Sequence, residues 1–126
     1  FIMVHDGVRP FVSHETIQRC YSALAHSKSV VPVLELKDSL RSIDSTGSKM
    51  VNRSEFKLVH TPQCFDAEIL KKAYQTEYHT GMTDDASVVE SLGIEPFLVE
   101  SNEENIKITT NSDLLIAAAY MQQKNS

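Results

Sequence analysis

The first ten residues place an acid, a base and a glycine at the end of an apolar strand. Phe1–Val4 is predicted to be a buried strand, and residues 5–10 follow it as HDGVRP. Ligands of open α/β sheets collect at the carboxyl ends of strands, because loops there carry polar groups that a packed sheet excludes. A carboxylate such as Asp6 suits a metal ion, the Arg9 guanidinium can hold a phosphate through two hydrogen bonds, and Gly7 lets a ligand approach the backbone. The segment therefore predicts metal and phosphate chemistry. The alternative is a loop in which Asp6 and Arg9 only pair with each other.

Two basic residues further along the chain are candidates for the same chemistry. Arg53 stands in the segment 51–54, where a predicted hairpin returns toward the body, and it is either a solvated surface residue or a ligand-binding one. Lys107 lies between Ile106 and Ile108 on a predicted short strand, so its side chain points to the face opposite theirs. That face is either open solvent or a cleft in which the ammonium group neutralises a phosphate.

A third candidate is a predicted helix start that is rich in hydroxyl and acidic groups. Residues 83–87 read TDDAS, with Thr83 as the predicted N-cap and Asp84 and Asp85 in the first turn, where the helix dipole favours negative charge. The same start presents amide and hydroxyl donors that can bind a phosphate, with the Thr83 hydroxyl turned toward the ligand. Capping and anion binding both remain open.

Composition excludes several other classes of function. The net charge is −5 and no run of Lys and Arg occurs, so neither a nucleic-acid surface nor an anionic membrane partner is expected. No apolar run is long enough to cross a bilayer and no signal peptide is visible, so we expect a cytoplasmic protein. The histidines and the two cysteines, Cys20 and Cys64, lack metal-ligand spacing, and both cysteines are expected to be half-buried. No serine nucleophile elbow is present.

Periodicity predicts an α/β domain with a mostly parallel sheet. A helix capped by Ser13 is expected to turn Ile17, Tyr21 and Leu24 inward, and a strand over residues 29–36 follows it. The other predicted elements are a helix capped by Asp66 that buries Tyr74, a helix from Thr83 to Gly93, strands at 94–99 and 106–108, and a helix from about Asn111 that docks on the sheet through Leu114, Leu115, Ala118 and Met121.

Residues 37–60, here called the arm, have a different character. The turn-rich segment 44–48 separates two short alternating segments, 39–43 and 50–51, which predicts a β-hairpin with a polar tip. Its apolar content is too small for the hairpin to be stable alone. The arm must therefore lie on the sheet or extend to a second subunit.

Five motifs in order resemble those of the 2-C-methyl-D-erythritol 4-phosphate cytidylyltransferases of the non-mevalonate isoprenoid pathway. They are HDGVRP at 5–10, VNR at 51–53, TPQ at 61–63, TDDAS at 83–87 and NIKIT at 105–109. The resemblance covers essentially the whole chain, but it begins after the family's Gly-rich phosphate loop. Because the chain also starts without Met inside a predicted strand, residues 1–126 are expected to be the C-terminal portion of a single cytidylyltransferase domain, inactive by itself.

The resemblance implies a Rossmann-like nucleotidyltransferase sheet and a homodimer in which the arm reaches across a two-fold axis. It further implies a CTP-dependent enzyme that transfers CMP from CTP to methylerythritol phosphate and releases pyrophosphate. Mg²⁺ is the implied cofactor, and the protein's work is mostly positioning and charge neutralisation.

The resemblance also assigns roles to matching positions. Asp6 is implied to hold Mg²⁺ and to touch the substrate, with Gly7 near the nucleotide. Arg53, serving the neighbouring subunit's site, and Lys107 are implied to position the methylerythritol phosphate. The other positions that the pattern implies in substrate contact are Arg9, Ser39, Thr61 and Thr83.

Two positions depart from the family's pattern. Ser39 stands where Thr is usual and keeps the hydroxyl, whereas Asn52 stands where the family often has Asp, which removes a charge beside Arg53. The second departure keeps ribitol 5-phosphate cytidylyltransferase as an alternative, although residues 83–87 and 105–107 favour methylerythritol phosphate. A non-catalytic dimerisation module is a further alternative, since the arm suits partner contact and the nucleotide loop is absent.

Overall fold

The structure is a computed structural model that describes residues 1–125, and it contains a mixed β-sheet with helices on both faces. In chain order the elements are β1 (Ile2–Val4), α1 (His14–Ala23), β2 (Ser29–Glu35), β3 (Leu40–Asp44), β4 (Gly47–Val51), a 3₁₀ turn (Arg53–Glu55), β5 (Lys57–Val59), β6 (Gln63–Phe65), α2 (Ala67–Ala73), α3 (Asp85–Glu90), β7 (Phe97–Glu100) and α4 (Asn111–Lys124).

Strand β2 is the centre of the sheet. One of its edges pairs in parallel with β7. The other edge pairs antiparallel with β5, where Val33 faces Val59, and with β6, where Val30 faces Cys64. Strand β1 then pairs antiparallel with β6. The predicted α/β class is confirmed. A mostly parallel sheet is wrong for the pairings within residues 1–125, because the chain returns from the arm directly alongside β2 instead of crossing over through a helix.

The returning strand bulges between β5 and β6. By the registers just given, it holds two more residues than the stretch of β2 that faces it. Pro32 of β2 lies opposite this bulge, and its carbonyl oxygen accepts the His60 N–H at 2.9 Å. A bulge tolerates a proline, which has no N–H for the ladder, and it redirects side chains away from the sheet. Thr61 is one of the residues redirected in this way.

Successive residues of β2 point to opposite faces of the sheet, and this alternation builds two core clusters. Val31 and Val33 pack with residues of α2 and α3, whereas Val30 packs with Cys64 and with Cys20 of α1. Both cysteines are completely buried, not half-buried as predicted. The neighbouring Cys20 thiol and burial raise the pKa of Cys64 well above its ordinary value, so it is an unreactive thiol.

Strands β3 and β4 form a two-stranded sheet of their own, as the hairpin prediction requires. Asp44 faces Gly47 at its tip, and the side chains of Ile43 and Met50 are 80% and 77% exposed. The hairpin therefore does not lie on the main sheet. Of the two arrangements expected for the arm, only extension away from the body agrees with this structure.

Local capping signals locate the starts of α2 and α3. The Asp66 carboxylate accepts from two backbone N–H groups of the first turn of α2, as predicted. Helix α3 is capped by Asp84 and not by Thr83, because Asp84 and Ser87 form a reciprocal capping box that leaves Thr83 outside the helix. Gly93 follows α3 with φ at +81°, a left-handed conformation that ends a helix at little cost for glycine.

Several side chains that were predicted to point inward are exposed. Among residues 1–125, strand β1 pairs with β6 and with no other strand, so one of its edges is left uncovered there. Helix α1 turns Thr16 and Cys20 to the sheet. Of its predicted inward residues, Leu24 is buried and Tyr21 is exposed. The side chains concerned are Phe1, Met3, Val4, Tyr21 and Tyr74.

Helix α4 begins at Asn111 as predicted, with Thr110 as its N-cap. Its predicted docking residues Leu114, Leu115, Ala118 and Met121 are all exposed. Contact with the body is made through Ala117, which is buried, and through Tyr120, whose ring packs edge-on against Phe11 at 5.5 Å. Apolar residues occur on every side of this helix, so their spacing could not identify the contacting face. Within residues 1–125, no helix combines the length and hydrophobicity that a bilayer crossing requires.

Candidate active site

Four residues from three segments form a closed ring of hydrogen bonds beyond the end of β1. Arg9 donates from Nε to Asp6 Oδ2 at 3.1 Å and from Nη1 to the Asn105 carbonyl oxygen at 2.8 Å. The Asn105 side-chain amide donates to the Thr61 carbonyl oxygen at 2.8 Å. The Thr61 hydroxyl closes the ring by accepting from the Asp6 backbone N–H at 3.0 Å. Asp6, Arg9 and Thr61 are thereby held in one arrangement.

His5 connects two members of this ring from the outside. Its Nε2 lies 2.8 Å from the Arg9 carbonyl oxygen and its Nδ1 lies 2.9 Å from Thr61 Oγ1. Because a carbonyl oxygen only accepts, Nε2 is a nitrogen that carries a proton, and in that tautomer Nδ1 accepts from the Thr61 hydroxyl. His5 therefore supports the Asp6 loop from outside the ring.

Lys107 reaches the ring from a segment that is anchored on both sides. On one side stands the Asn105 carbonyl of the ring, and on the other the Ile108 N–H donates to the Val8 carbonyl oxygen at 2.9 Å. Between these anchors, Lys107 Nζ lies 3.8 Å from Asp6 Oδ2. The strand predicted around Lys107 does not form within residues 1–125, and these two hydrogen bonds hold the segment in place.

The site carries two cations and one acid. Arg9 and Lys107 both approach Asp6 Oδ2, whereas Asp6 Oδ1 accepts no hydrogen bond from any residue in 1–125. The side chains of Asp6 and Lys107 are 35% and 52% exposed, so both are accessible to a ligand. The Arg9 side chain is 11% exposed and lies deeper. An excess of positive charge beside open space suits a phosphate-bearing ligand.

A magnesium ion fits the open oxygen of Asp6. Mg²⁺ is commonly held by one or two carboxylates, with substrate phosphates and waters as the other ligands. The described part of the chain has no group of three or more His, Cys, Asp or Glu side chains that could hold a metal ion. Mg²⁺ at Asp6 would therefore depend on substrate phosphates. Gly7 next to it faces open space, since a Cβ there would meet nothing within 4 Å.

A buried polar cluster lies behind the ring. His60, Ser101 and Asn105 are 7%, 3% and 0% exposed. His60 Nδ1 lies 2.8 Å from Ser101 Oγ, and Ser101 Oγ also accepts from the Asn105 amide at 3.3 Å. Burial, with a smaller contribution from the positive charge of Arg9, lowers the pKa of His60 to about 4. His60 is therefore neutral near pH 7, and its Nδ1 accepts from the Ser101 hydroxyl.

The depressed pKa of His60 predicts a loss of stability in mild acid. An unfolded histidine takes up a proton near pH 6.5, whereas the folded protein resists protonation of His60 until about pH 4. The free energy of unfolding therefore keeps its full value, as far as His60 is concerned, above about pH 6.5. It decreases by up to about 3 kcal/mol as pH falls from about 6.5 to about 4. Urea unfolding at pH 7.0, 5.5 and 4.5 measures this decline.

The matched variant for this experiment is His60→Gln, which cannot titrate but still offers an oxygen to the Ser101 hydroxyl. Its unfolding free energy should depend less steeply on pH over the same range. Asp66 and Asp113 also have pKa values below their ordinary range, because backbone N–H groups bind their carboxylates. These two groups change the free energy of unfolding only below about pH 4, outside the range of the experiment. Equal pH dependence in the two proteins contradicts a neutral buried His60.

Gln63 attaches the start of α3 to the same end of the sheet. Its side-chain amide donates to Asp84 Oδ2 at 3.0 Å, and its oxygen accepts the Ala86 N–H at 3.0 Å. Gln63 itself faces Val4, the last residue of β1. Thr83 therefore stands near the end of β1, exposed, and its side chain makes no hydrogen bond within residues 1–125.

Arg53 and Ser39 lie apart from the ring, at the base of the arm. Both line a surface pocket with Met50, Val51 and Asn52. The Arg53 guanidinium donates to the Lys37 carbonyl oxygen and makes no contact with the ring in the described chain. The structure therefore brings together Asp6, Gly7, Arg9, Thr61 and Lys107, and it leaves Arg53 and Ser39 exposed on the arm.

The pattern of residues did not identify the polar groups behind the site. His60, Ser101, Asn105 and Gln63 were given no role, because a buried polar residue has no local signature of its own. The signal that was present is the position of Gln63 and Asn105 inside the TPQ and NIKIT motifs.

Comparison with known proteins agrees with the fold and the motifs. Residues 1–123 match the family of 2-C-methyl-D-erythritol 4-phosphate cytidylyltransferase, IspD. The protein of that name from Bacteroides fragilis is 51% identical over 118 residues, which are 94% of this chain and 54% of the relative. The one from Phocaeicola vulgatus is 53% identical over 114 residues, which are 90% and 52% of the two chains.

Solved structures show the same likeness. The crystal structure of the 2-C-methyl-D-erythritol 4-phosphate cytidylyltransferase from Thermus thermophilus has a TM-score of 0.83 and 35% identity, over 95% of this chain and 61% of that one. The nucleotidyltransferase fold is therefore confirmed. These comparisons favour neither the ribitol phosphate alternative nor the non-catalytic module. The chain spans about half the length of the curated relatives it matches. With a family match across nearly all of its residues, the chain belongs to the 2-C-methyl-D-erythritol 4-phosphate cytidylyltransferase family.

Proposed function

We propose that this chain is the C-terminal portion of a CTP-dependent cytidylyltransferase of isoprenoid biosynthesis. The enzyme transfers CMP from CTP to 2-C-methyl-D-erythritol 4-phosphate and releases pyrophosphate. The observation that carries the proposal is the ring that holds Asp6, Arg9 and Thr61 together with Lys107, because it gathers an open carboxylate oxygen and two cations at one accessible place. Membership of the family supports cytidylyl transfer as the reaction of this site.

The chemistry needs two anionic phosphates to approach each other. An oxygen of the acceptor's phosphate forms a bond to the α-phosphorus of CTP, while the bond from that phosphorus to pyrophosphate breaks. Lys107, with its exposed ammonium group, neutralises and orients the acceptor phosphate. Arg9 and the hydroxyls of Thr61, Thr83 and Ser39 contact the substrates. Such fixed charges and donors are the main source of catalysis in phosphoryl-group transfer.

Asp6 would hold Mg²⁺ through its open Oδ1 and touches the substrate, and Gly7 lies against the nucleotide. When bound, the ion would supply charge neutralisation. Arg9 and Lys107, both close to Oδ2, hold the carboxylate in its orientation.

We further infer a cytoplasmic homodimer that forms through the arm, residues 37–60. A separate two-stranded sheet with exposed Ile43 and Met50 is marginal in water by itself and gains stability from a partner. In a two-fold dimer the arm of one subunit lies against the other, so Arg53 at its base acts in the neighbouring subunit's site. No nucleic acid or membrane takes part.

The test is an assay of pyrophosphate release by the complete protein with CTP and Mg²⁺. We expect turnover with 2-C-methyl-D-erythritol 4-phosphate and at least about tenfold lower kcat/KM with ribitol 5-phosphate, since binding energy must be spent on the correct acceptor. Absence of release, or a preference for ribitol 5-phosphate, contradicts the proposal. Residues 1–126 alone should show no turnover.

A further inference from the structure

Asn105 lies at the centre of the site, although it is uncharged and completely buried. It is 0% exposed and stands two residues before Lys107. Its carbonyl oxygen holds the Arg9 guanidinium at 2.8 Å, and its side-chain amide holds the Thr61 carbonyl oxygen at 2.8 Å. One residue thus joins the loop after β1, the bulge before β6 and the segment that carries Lys107.

His60 and Ser101, which lie behind the ring, fix the orientation of the Asn105 amide. Neutral His60 accepts from the Ser101 hydroxyl, so the Ser101 oxygen is left to accept from the amide. A flipped amide would place its oxygen against the Thr61 carbonyl oxygen, where two acceptors repel. The amide nitrogen therefore stays on Thr61.

The oxygen of the Asn105 amide shows that a contribution to stability alone does not explain an asparagine at this position. Asn105 Oδ1 is fully buried and has no hydrogen-bond partner within residues 1–125. A buried acceptor without a partner is unfavourable for folding. The side-chain amide has two N–H donors. One binds the Thr61 carbonyl oxygen and the other binds Ser101 Oγ, so both hold the site together.

We propose that Asn105 is a positioning residue for cytidylyl transfer, acting through Thr61, Arg9 and Lys107 without touching substrate. It sets the distance between the acceptor-orienting Lys107 and the Asp6 carboxylate. This inference rests on the proposed function. A small displacement of an orienting group is sufficient to slow a reaction strongly, because the reacting atoms must be aligned.

The test compares Asn105→Ala and Asn105→Ser in the complete protein. At a temperature well below the unfolding midpoint of each variant, kcat should fall by about 10- to 100-fold, the range typical of residues that orient contacting groups. The KM values for CTP and for methylerythritol phosphate should change less than about threefold, because Arg9 and Lys107 keep their charges. Circular dichroism and thermal unfolding establish that the variants are folded.

Asn102→Ala is the matched control. Asn102 lies in the same segment, but its amide donates to the Phe11 carbonyl oxygen at 2.9 Å and its oxygen accepts the Ser13 N–H at 3.0 Å, so it ties the segment to the start of α1. This variant should lose thermal stability and keep kcat within about twofold, since hydrogen bonds away from the reacting groups affect folding alone.

Three results would overturn the inference: a folded Asn105 variant with unchanged kcat, an equal loss of kcat in Asn102→Ala, or failure of both Asn105 variants to fold. The last result would make Asn105 a structural residue. Failure of the proposed function is distinguishable, because the unmodified protein would then not release pyrophosphate at all.

Discussion

Replacing Lys107 with alanine is expected to lower kcat/KM for methylerythritol phosphate by about 10²- to 10³-fold, as for other preorganised charges that face a reacting phosphate. The unfolding free energy should stay within about 0.5 kcal/mol of its original value, because the pair with Asp6 at 3.8 Å is exposed and such pairs contribute little. Steady-state pyrophosphate release by the complete protein, together with urea unfolding, measures both quantities.

Lys71→Ala provides the control for this result. Lys71 also forms an exposed ion pair, with Glu68 at 3.6 Å on α2, but it lies outside the ring of the site. Its removal should change neither activity nor stability by a measurable amount. Retention of activity within about threefold in Lys107→Ala would mean that Lys107 only neutralises Asp6, and the assigned orienting role would be wrong.

The parts of the site that could be predicted are those with local chemistry. Asp6 and Arg9 are three residues apart, so their pairing follows from one loop, and the ion pair considered as an alternative is present. The β3–β4 hairpin and the Asp66 cap depend on neighbouring residues as well, and both form where expected. Each of these features can be decided within a few residues of chain.

The ring could not be predicted, because its bonds join distant parts of the chain. Arg9 and Asn105 are 96 positions apart, and Asn105 and Thr61 are 44 apart. Asparagine is usually exposed, so its residue type predicts a surface position for Asn105, whereas this residue is buried and joins the segments. Motif order indicated these segments, but only folding shows which atoms meet.

The prediction that the strands are mostly parallel was wrong for a related reason. Strand β6 has three residues and follows directly after a proline, which favours a loop in any reading of local sequence. Its partner strands β1 and β2 supply the hydrogen bonds that make it a strand. Because β6 lies between them and runs antiparallel to both, missing this strand also meant missing the mixed character of the sheet.

Heterodimers of an Arg53→Ala subunit and a Lys107→Ala subunit are expected to recover about half of the activity of the unmodified dimer, although each variant alone is nearly inactive. If Arg53 acts in the neighbouring site, both defects fall on one site of the heterodimer and the other site has neither. Arg53 is exposed on the arm, bonded to the Lys37 carbonyl and apart from the ring, which favours such an exchange. Coexpression with two different tags, tandem purification and a pyrophosphate assay measure it.

The matched control pairs Lys107→Ala with Asp6→Asn. These two residues contact each other within one subunit, so every heterodimer carries one defect in each site and activity should not return. Recovery confined to the pair that contains Arg53→Ala therefore identifies Arg53 as the residue that crosses the interface. Heterodimers that stay as inactive as both parents would place Arg53 in its own subunit's site, because complementation requires one site free of both changes.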